Sequence, residues 1–315
     1  MNSIKILVTG GAGNVGGALV RRLVENPNYF VVIADNLITG SLEKLPSTRF
    51  TNWSFVNCDV NNYRDIAEIM ISYKFDYVFH YAALVGVKRT QDNPIQVLND
   101  IDGIKNVLNL AKNTSVKRVF YSSSSEVYGE PVELPQHEHT TPLNSRVPYA
   151  VVKNVGESFF RSFKKAYDLD FTIFRFFNTY GPGQSKDFVV AKFLSSALNN
   201  QDITIYGDGS QTRTFCYVND NVDTCVKIFE QHLELNNVIN IGGADELKIL
   251  DLAKLVIEIL GSSSKIINLP PLEEGDMTRR MPDNSKMIKI LDRPLISVKE
   301  GIQMMLKNEE FRKQI

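Results

Sequence analysis

Continuous apolar runs recur along the first half of the chain. Between them, apolar positions fall three and four apart. The runs are "IKILVTG" (4–10), "FVVIAD" (30–35), "WSFVNCD" (53–59), "DYVFHYAA" (76–83), "KRVFYSS" (117–123) and "FTIFRFF" (171–177). Each is the length of a strand and apolar on both alternating faces. The spacing between them predicts helices over 14–25, 62–72, 94–113 and 148–168, with a loop after the second strand. Strands apolar on both faces, alternating with helices, imply a parallel sheet covered on both sides. That is the doubly wound α/β pattern.

The rhythm breaks after Asn178. "NTYGPGQSKD" is turn-rich, 188–199 reads as helix, and "ITIYGDGSQTRTFCYV" holds two short strands. "VINIGG" returns to buried-strand composition and 248–261 to helix, while "LPPLEEGDMTRRMPDNSKM" is Pro-rich and charged. The expected division is a nucleotide-binding domain of 1–177 and 212–242 with a smaller, discontinuous lobe of 178–211 and 243–315. Ligands of doubly wound sheets bind beyond the carboxyl ends of the strands, so the cleft between the two units is the expected site.

Composition narrows the function classes. Thirty-five basic residues balance 36 acidic ones, so no charge excess points to nucleic acid or a membrane surface. The 43% of apolar residues suffices for a full core. Cys58, Cys216 and Cys225 lack metal-ligand spacing, and their odd number suits buried thiols in a reducing compartment. The N-terminus runs straight into a strand-like segment rather than a signal peptide, and no stretch approaches the roughly 20 apolar residues of a membrane span. The expected location is the cytoplasm. "NTS" at Asn113 is too short a pattern to carry weight.

The chemistry begins at "VTGGAGNVGGALV" (8–20). Gly10, Gly13 and Gly16 form G-x-x-G-x-x-G between a strand and a helix. The first permits the tight turn, the second lets backbone approach a pyrophosphate, and the third lets helix and strand pack closely. The helix N-terminus then offers free N–H groups to the phosphates. Asp35 closes the second strand about 20 residues on, where a carboxylate accepts from a ribose 2′-hydroxyl. It would repel a 2′-phosphate, favouring NAD over NADP. A simple turn aspartate is the competing reading for Asp35, and for Asp59 after "FVNC". Tyr149 and Lys153 in "YAVVKN" share a helix face, and an ammonium beside a phenol stabilises the phenolate. Ser124, in "YSSSSEVYG", stands at the cleft end of a strand, where its hydroxyl can reach the moving proton. A turn-rich serine cluster would look the same.

Together these segments resemble the extended short-chain dehydrogenase/reductase family, specifically its nucleotide-sugar epimerases and dehydratases. "VTGGAGNVG", "DNLITGS", "HYAA", "YSSSSEVYG", "PYAVVK" and "FRFFNTYGP" fall in the family's order across essentially the whole chain. The resemblance implies a Rossmann domain with a small nucleotide-sugar lobe. It implies NAD held by Gly10, Gly13, Asn14, Val15, Gly16, Asp35, Asn36, Asp59, Val60, Ala82, Ala83, Asn99, Tyr149 and Lys153. The family's Ser–Tyr–Lys set maps onto Ser124, Tyr149 and Lys153. Ser125, Asn178, Arg213 and either Arg279 or Arg280 would meet the sugar nucleotide, unless those late arginines are surface charges paired with Glu273 and Glu274. The implied partners are a nucleotide sugar, with neither nucleic acid nor membrane, and a second copy joined through the 94–113 and 148–168 helices.

The implied reaction takes a proton from the sugar 4-hydroxyl on Tyr149 and hydride from C4, giving a 4-keto sugar; a UDP-sugar 4-epimerase then returns hydride to the other face. Glu126 complicates this outcome. Simple 4-epimerases usually place a small residue or threonine there, whereas glutamate resembles the dehydratases and UDP-glucuronate decarboxylases. Dehydratases need an aspartate just before it, where this chain has Ser125. Related uronate enzymes carry an arginine after the "GP" turn, where this chain has Gly183 and Phe188, with Lys186 and Lys192 nearby. Three readings stay open: a 4-epimerase, with Glu126 catalytic or merely bonded to backbone; a decarboxylase or 4-keto-sugar reductase; and a non-catalytic NAD-binding protein, which the intact Ser124–Tyr149–Lys153 set opposes.

Overall fold

A computed structural model describes residues 3–271 and 277–314. Strands β1 (Ile4–Thr9), β2 (Tyr29–Asp35), β3 (Trp53–Asn57), β4 (Tyr77–His80), β5 (Arg118–Ser124) and β6 (Asp170–Phe176), with Asn237–Ile241, build a seven-stranded sheet. Its order is Asn237–Ile241, β6, β5, β4, β1, β2, β3, and every pairing is parallel. The chain winds outward from β1 to β3, then crosses back to start β4 on the other side of β1. The carboxyl ends of β1 and β4 are therefore the switch point, where a Rossmann-type sheet opens its crevice.

Helices α1 (Asn14–Leu23), α2 (Tyr63–Tyr73), α3 (Val87–Asp92), α4 (Pro94–Asn113) and α5 (Pro148–Tyr167) follow. Pro94 and Pro148 sit in the first turns of α4 and α5, where a missing N–H costs nothing. The α5 helix stops at Asp168, which is left-handed at φ 56°. Alternate strand residues feed two cores. Ile6, Val8, Val31, Ile33, Phe79, Phe120, Phe174 and Ile239 face one layer, which includes α1. Leu7, Val32, Val78, Val119, Tyr121, Ile173 and Val238 face the other, under α2, α4 and α5.

Among the described residues after Asn178, only Asn237–Ile241 joins the seven-stranded sheet. Ile203–Tyr206 pairs with Ile266–Leu269, and Thr212–Thr214 pairs antiparallel with Glu246–Lys248. Val189–Leu198 and Ile249–Leu260 are the helices of this region. Thr212–Thr214, given to the larger unit by the expected division, thus pairs with a segment given to the smaller. The sequence reading did not anticipate the helix Val218–Glu230, which starts directly after the strand Cys216–Tyr217 with no turn residue to announce it. Its buried Val218, Val222, Cys225, Val226 and Phe229 cover the sheet, and Phe229 meets Phe79 and Phe120 edge-on. The tail likewise forms Ser285–Leu291 and Val298–Lys307, the latter opened by a Ser297–Glu300 capping box.

Candidate active site

The switch point is tied together by Thr9. Its hydroxyl meets His80 Nδ1 at 2.9 Å and accepts from the backbone N–H groups of Tyr81 and Ala82, each at 3.2 Å. Gly10 follows at φ 68°, and a Cβ there would lie 2.7 Å from Ala82 N. The turn therefore needs glycine for both conformation and space. A Cβ at Gly16 would stand 2.2 Å from Gly10 O, so α1 seats against the turn only without a side chain there. At Gly13 the same atom would meet Gly10 O alone, at 3.1 Å, and otherwise open space. The three glycines thus have three different reasons.

A cleft of about 1020 Å³ opens from this turn. Gly10, Gly13, Asn14, Val15, Gly16, Asp35, Asn36, Asp59, Val60, Ala82, Ala83, Asn99, Ser124, Ser125, Glu126, Tyr149, Lys153, Asn178, Arg213 and Arg280 all line it. Every residue expected to bind or act therefore faces one space. The first turn of α1 carries neither a side-chain cap nor an acidic residue, leaving its N–H groups to an anion. Asp35 accepts from Ala12 N at 3.0 Å and Leu37 N at 2.8 Å. Those bonds fix the carboxylate at the end of β2 and leave lone pairs for a diol.

The serine run at the end of β5 is not a loose turn. Ser122 O accepts from Lys153 Nζ at 2.7 Å, Ser123 Oγ donates to Glu157 at 2.7 Å, and Ser124 Oγ accepts from Glu126 N at 3.2 Å. The Ser124 hydroxyl is also a neighbour that favours the Tyr149 phenolate. Close packing sets this register: a Cβ at Gly156 would stand 2.3 Å from the Tyr121 hydroxyl, so α5 lies directly on β5. Lys153 Nζ sits 5.0 Å from the Tyr121 ring centre and 5.7 Å from that of Tyr149. Burial pulls the Lys153 ammonium down to about 8, with the Asp100 charge opposing. Burial also holds the Tyr149 phenol well above its ordinary value, and the Glu126 charge adds to this. The expectation that the lysine leaves the phenol easy to ionise is thus not met in the protein alone. Desolvation of a phenolate outweighs the Ser124 hydroxyl and the Arg280 charge, which pull the other way.

The late arginines separate in space. Arg279 forks onto Glu246 with two contacts of 2.7 Å and stays at the surface. Arg280 is buried in the cleft wall, its guanidinium 3.5 Å from Glu126. Of the two, Arg280 is the cleft residue; Glu273 and Glu274 lie outside the described residues. Asn178, at φ 34°, donates to Thr214 O at 3.0 Å, and buried Arg213 donates to Thr212 O at 2.7 Å. Behind them Arg175 forks onto Glu157 at 2.8 and 2.7 Å and donates to the Tyr128 hydroxyl at 2.8 Å.

Residues 6–242 match the model of the NAD dependent epimerase/dehydratase family. The chain belongs to that family. It is 31% identical to the UDP-glucose 4-epimerase of Thermotoga maritima, solved with UDP-glucose, at a TM-score of 0.89 over 98% of this chain and 99% of that one. It is also 31% identical to the UDP-N-acetylglucosamine 4-epimerase of Methanobrevibacter ruminantium, solved with UDP-N-acetylmuramic acid, at a TM-score of 0.90 over the whole of both chains. UDP-glucuronic acid decarboxylase 3 of Arabidopsis thaliana is 33% identical over 98% of this chain and 90% of its own length.

Membership of this epimerase/dehydratase family makes NAD the cofactor, and the residues present fit it. Gly13 leaves a slot that a Cβ would fill, α1 presents unpaired N–H groups, and Asp35 ends β2. Among the described residues, no helix is long and apolar enough to cross a membrane. Sequence reasoning missed Asp100, a cleft residue one position after Asn99, because an aspartate inside a helical run reads as solvent face. It also missed Glu157, four residues after Lys153 on α5 and fully buried. That i, i+4 step was the available signal.

Proposed function

We propose that the protein is a UDP-sugar 4-epimerase acting through a transient 4-keto sugar. The observation that supports this reading is that Ser124, Tyr149 and Lys153 line the same cleft as the glycine turn. NAD supplies the hydride acceptor at C4 and the donor on the return. Tyr149 Oη takes the proton of the sugar 4-hydroxyl and gives it back to the keto oxygen. Ser124 Oγ donates to that oxygen, stabilising charge as it develops. Lys153, its Nζ 5.7 Å from the Tyr149 ring centre, adds positive charge on that side of the cleft. Asn178 meets the sugar nucleotide, Arg213 its diphosphate, and Arg280 stands near the substrate. Turnover of UDP-glucose and of UDP-N-acetylglucosamine to their C4 epimers, without net consumption of cofactor, is the test. Failure of both to react would refute it.

One observation favours a second reading, a UDP-glucuronate decarboxylase. Arg280 and Glu126 stand together in the cleft, and a uronate carboxylate would need such a guanidinium. Against it, Arg280 already faces an acid, and the Gly183–Phe188 turn offers no second arginine. Release of CO2 from UDP-glucuronate, with UDP-glucose inert, would establish it.

A homodimer through α4 and α5 completes the reading. The two helices lie side by side with Ile95, Leu98 and Val151 exposed. A shallow groove of about 420 Å³ runs along Val155, Phe159, Phe163 and Tyr167. Sedimentation at micromolar concentration that finds only monomer would refute the dimer.

A further inference from the structure

Tyr128 is a buried phenol that the mechanism above does not use. It packs behind the cleft with Val127, Phe177 and Leu143, a setting that phenylalanine would fill as well. Its hydroxyl is bonded on two sides. Oη accepts from Arg175 Nη1 at 2.8 Å and donates to Asn240 Oδ1 at 2.7 Å. A buried hydroxyl is costly unless such bonds are made, so the oxygen is there for what it joins.

Those bonds close a circuit around the cleft wall. Ser125–Tyr128 is one tight 3-10 turn, so Glu126 and Tyr128 are carried together. On the cleft side, Glu126 Oε1 faces Arg280 Nη1 at 3.5 Å. On the far side, Asn240 Nδ2 donates to Gln136 O at 2.8 Å and reaches Asp283 O at 3.4 Å. Gln136 N donates to Met281 O at 2.7 Å, and residues 136 and 282 pair as a parallel bridge. Arg280 is two residues before the bridged Pro282. Tyr128, Asn240 and Gln136 are all buried, so solvent does not loosen the path between them.

We propose that Tyr128 is a positioning residue: it aims the Asn240 amide that anchors the 281–283 segment, and so fixes Arg280 relative to the Ser124–Glu126 turn. This rests on the reading of the cleft as a nucleotide-sugar site with Arg280 near the substrate. The direction of the hydrogen bonds carries the argument. A guanidinium has only N–H groups to offer, so the phenol must accept from Arg175 and donate to Asn240. That puts Oδ1 on the phenol side and leaves Nδ2 for the two backbone carbonyls. Without the phenol hydrogen, the amide loses the group that tells its two ends apart. An amide turned over would set oxygen against the Gln136 and Asp283 carbonyls and push the bridge, with Arg280, away from the turn.

The test is a double-mutant cycle of Tyr128→Phe and Arg280→Ala in the full-length, NAD-loaded protein. The substrate is whichever of UDP-glucose, UDP-N-acetylglucosamine and UDP-glucuronate the unaltered protein turns over. Tyr128→Phe should lower kcat/KM about 10- to 100-fold, the scale of a reacting group misplaced from a distance. NAD affinity should stay within about twofold, because the circuit includes no residue of the glycine turn. In the Arg280→Ala background the same change should cost less than about twofold, because the side chain that Tyr128 aims is gone. A phenol that only held the fold would cost the same in both backgrounds. Asn240→Leu, which takes away the amide at similar size, should repeat both results. A kcat/KM within twofold in Tyr128→Phe, or an equal loss with and without Arg280, overturns the proposal. So does loss of NAD binding in both Tyr128→Phe and Asn240→Leu, which would make the circuit a prop of the whole fold. If the unaltered protein turns over none of the three sugars, the epimerase reading fails. The cycle is then read in calorimetric affinity for UDP-glucose, where the same dependence on Arg280 is expected and its absence overturns the role of Tyr128.

Discussion

Alanine at Gly16 and alanine at Gly13 should fail differently, because the two glycines are empty for different reasons. At Gly16 the new Cβ would stand 2.2 Å from Gly10 O, 2.9 Å from Gly10 C and 3.1 Å from Gly11 Cα. All three are backbone atoms of a turn that Thr9 and Ala82 hold in place. A carbon–oxygen contact relaxes at roughly 3.3 Å, so α1 must retreat by about 1 Å. Overpacking of that size costs about 1–3 kcal/mol. The same retreat carries the first-turn N–H groups beyond hydrogen-bond reach of a bound phosphate. Each charge-assisted bond lost is worth about 1.5–3 kcal/mol, or roughly 10- to 150-fold in Kd. At Gly13 the Cβ meets one oxygen at 3.1 Å, and the backbone, at φ −82°, suits alanine. Stability should change by less than about 1 kcal/mol, while the methyl fills the slot where backbone meets the pyrophosphate. Urea unfolding of each variant, with calorimetric titration of NAD, separates the two. Gly16→Ala should lose stability and affinity together, and Gly13→Ala affinity alone. If Gly13→Ala proves as unstable as Gly16→Ala, or if Gly16→Ala binds NAD within about threefold of the unaltered protein, the division of roles is wrong.

Tyr149→Phe should lower turnover about 10²- to 10⁴-fold, the usual worth of a positioned acid–base group, while NAD still titrates in by calorimetry; near-full turnover would contradict it. Asp35→Ala should narrow the preference for NAD over NADP in competitive binding, since it removes the charge that repels a 2′-phosphate. Glu157→Ala should cost about 3–5 kcal/mol in urea unfolding, because it strands the buried Arg175 charge; a loss under about 1 kcal/mol would show that Arg175 finds another partner. Lys153 should make stability rise with pH between about 8, its midpoint in the fold, and about 10.4, the ordinary lysine value. In that window the unfolded chain binds the extra proton. Lys153→Met should flatten this slope in pH-dependent unfolding.

Period and punctuation made most of the framework legible. The limits of α4 fell where its proline and its last apolar positions put them, and both faces of each strand announced a covered sheet. The helix Val218–Glu230 was missed because strand-like "TFCYV" runs into it without a capping residue. Period alone does not separate a short buried helix from a strand. Arg279 and Arg280 are neighbours in irregular chain, and nothing in their sequence says which turns inward. Only the positions of Glu246 and Glu126 in space decide that. The proton affinity of Tyr149 was misjudged for a related reason. Spacing along α5 reports that a lysine is near, but not how much water both groups have lost.

The wall that carries Arg280 is stitched to the sheet by the middle of the chain. Gln136 N donates to Met281 O at 2.7 Å, Asp283 N donates to Gln136 O at 2.8 Å, and Asn240 Nδ2 reaches the same carbonyl at 2.8 Å. Residues 136 and 240 wait for a segment made near the end of synthesis. The sugar side of the cleft is therefore the last part of the molecule that synthesis can complete, and a chain ending before Met277 would lack Arg280 together with Met287, Leu291, Ile302 and Met305 of the core that packs on α1.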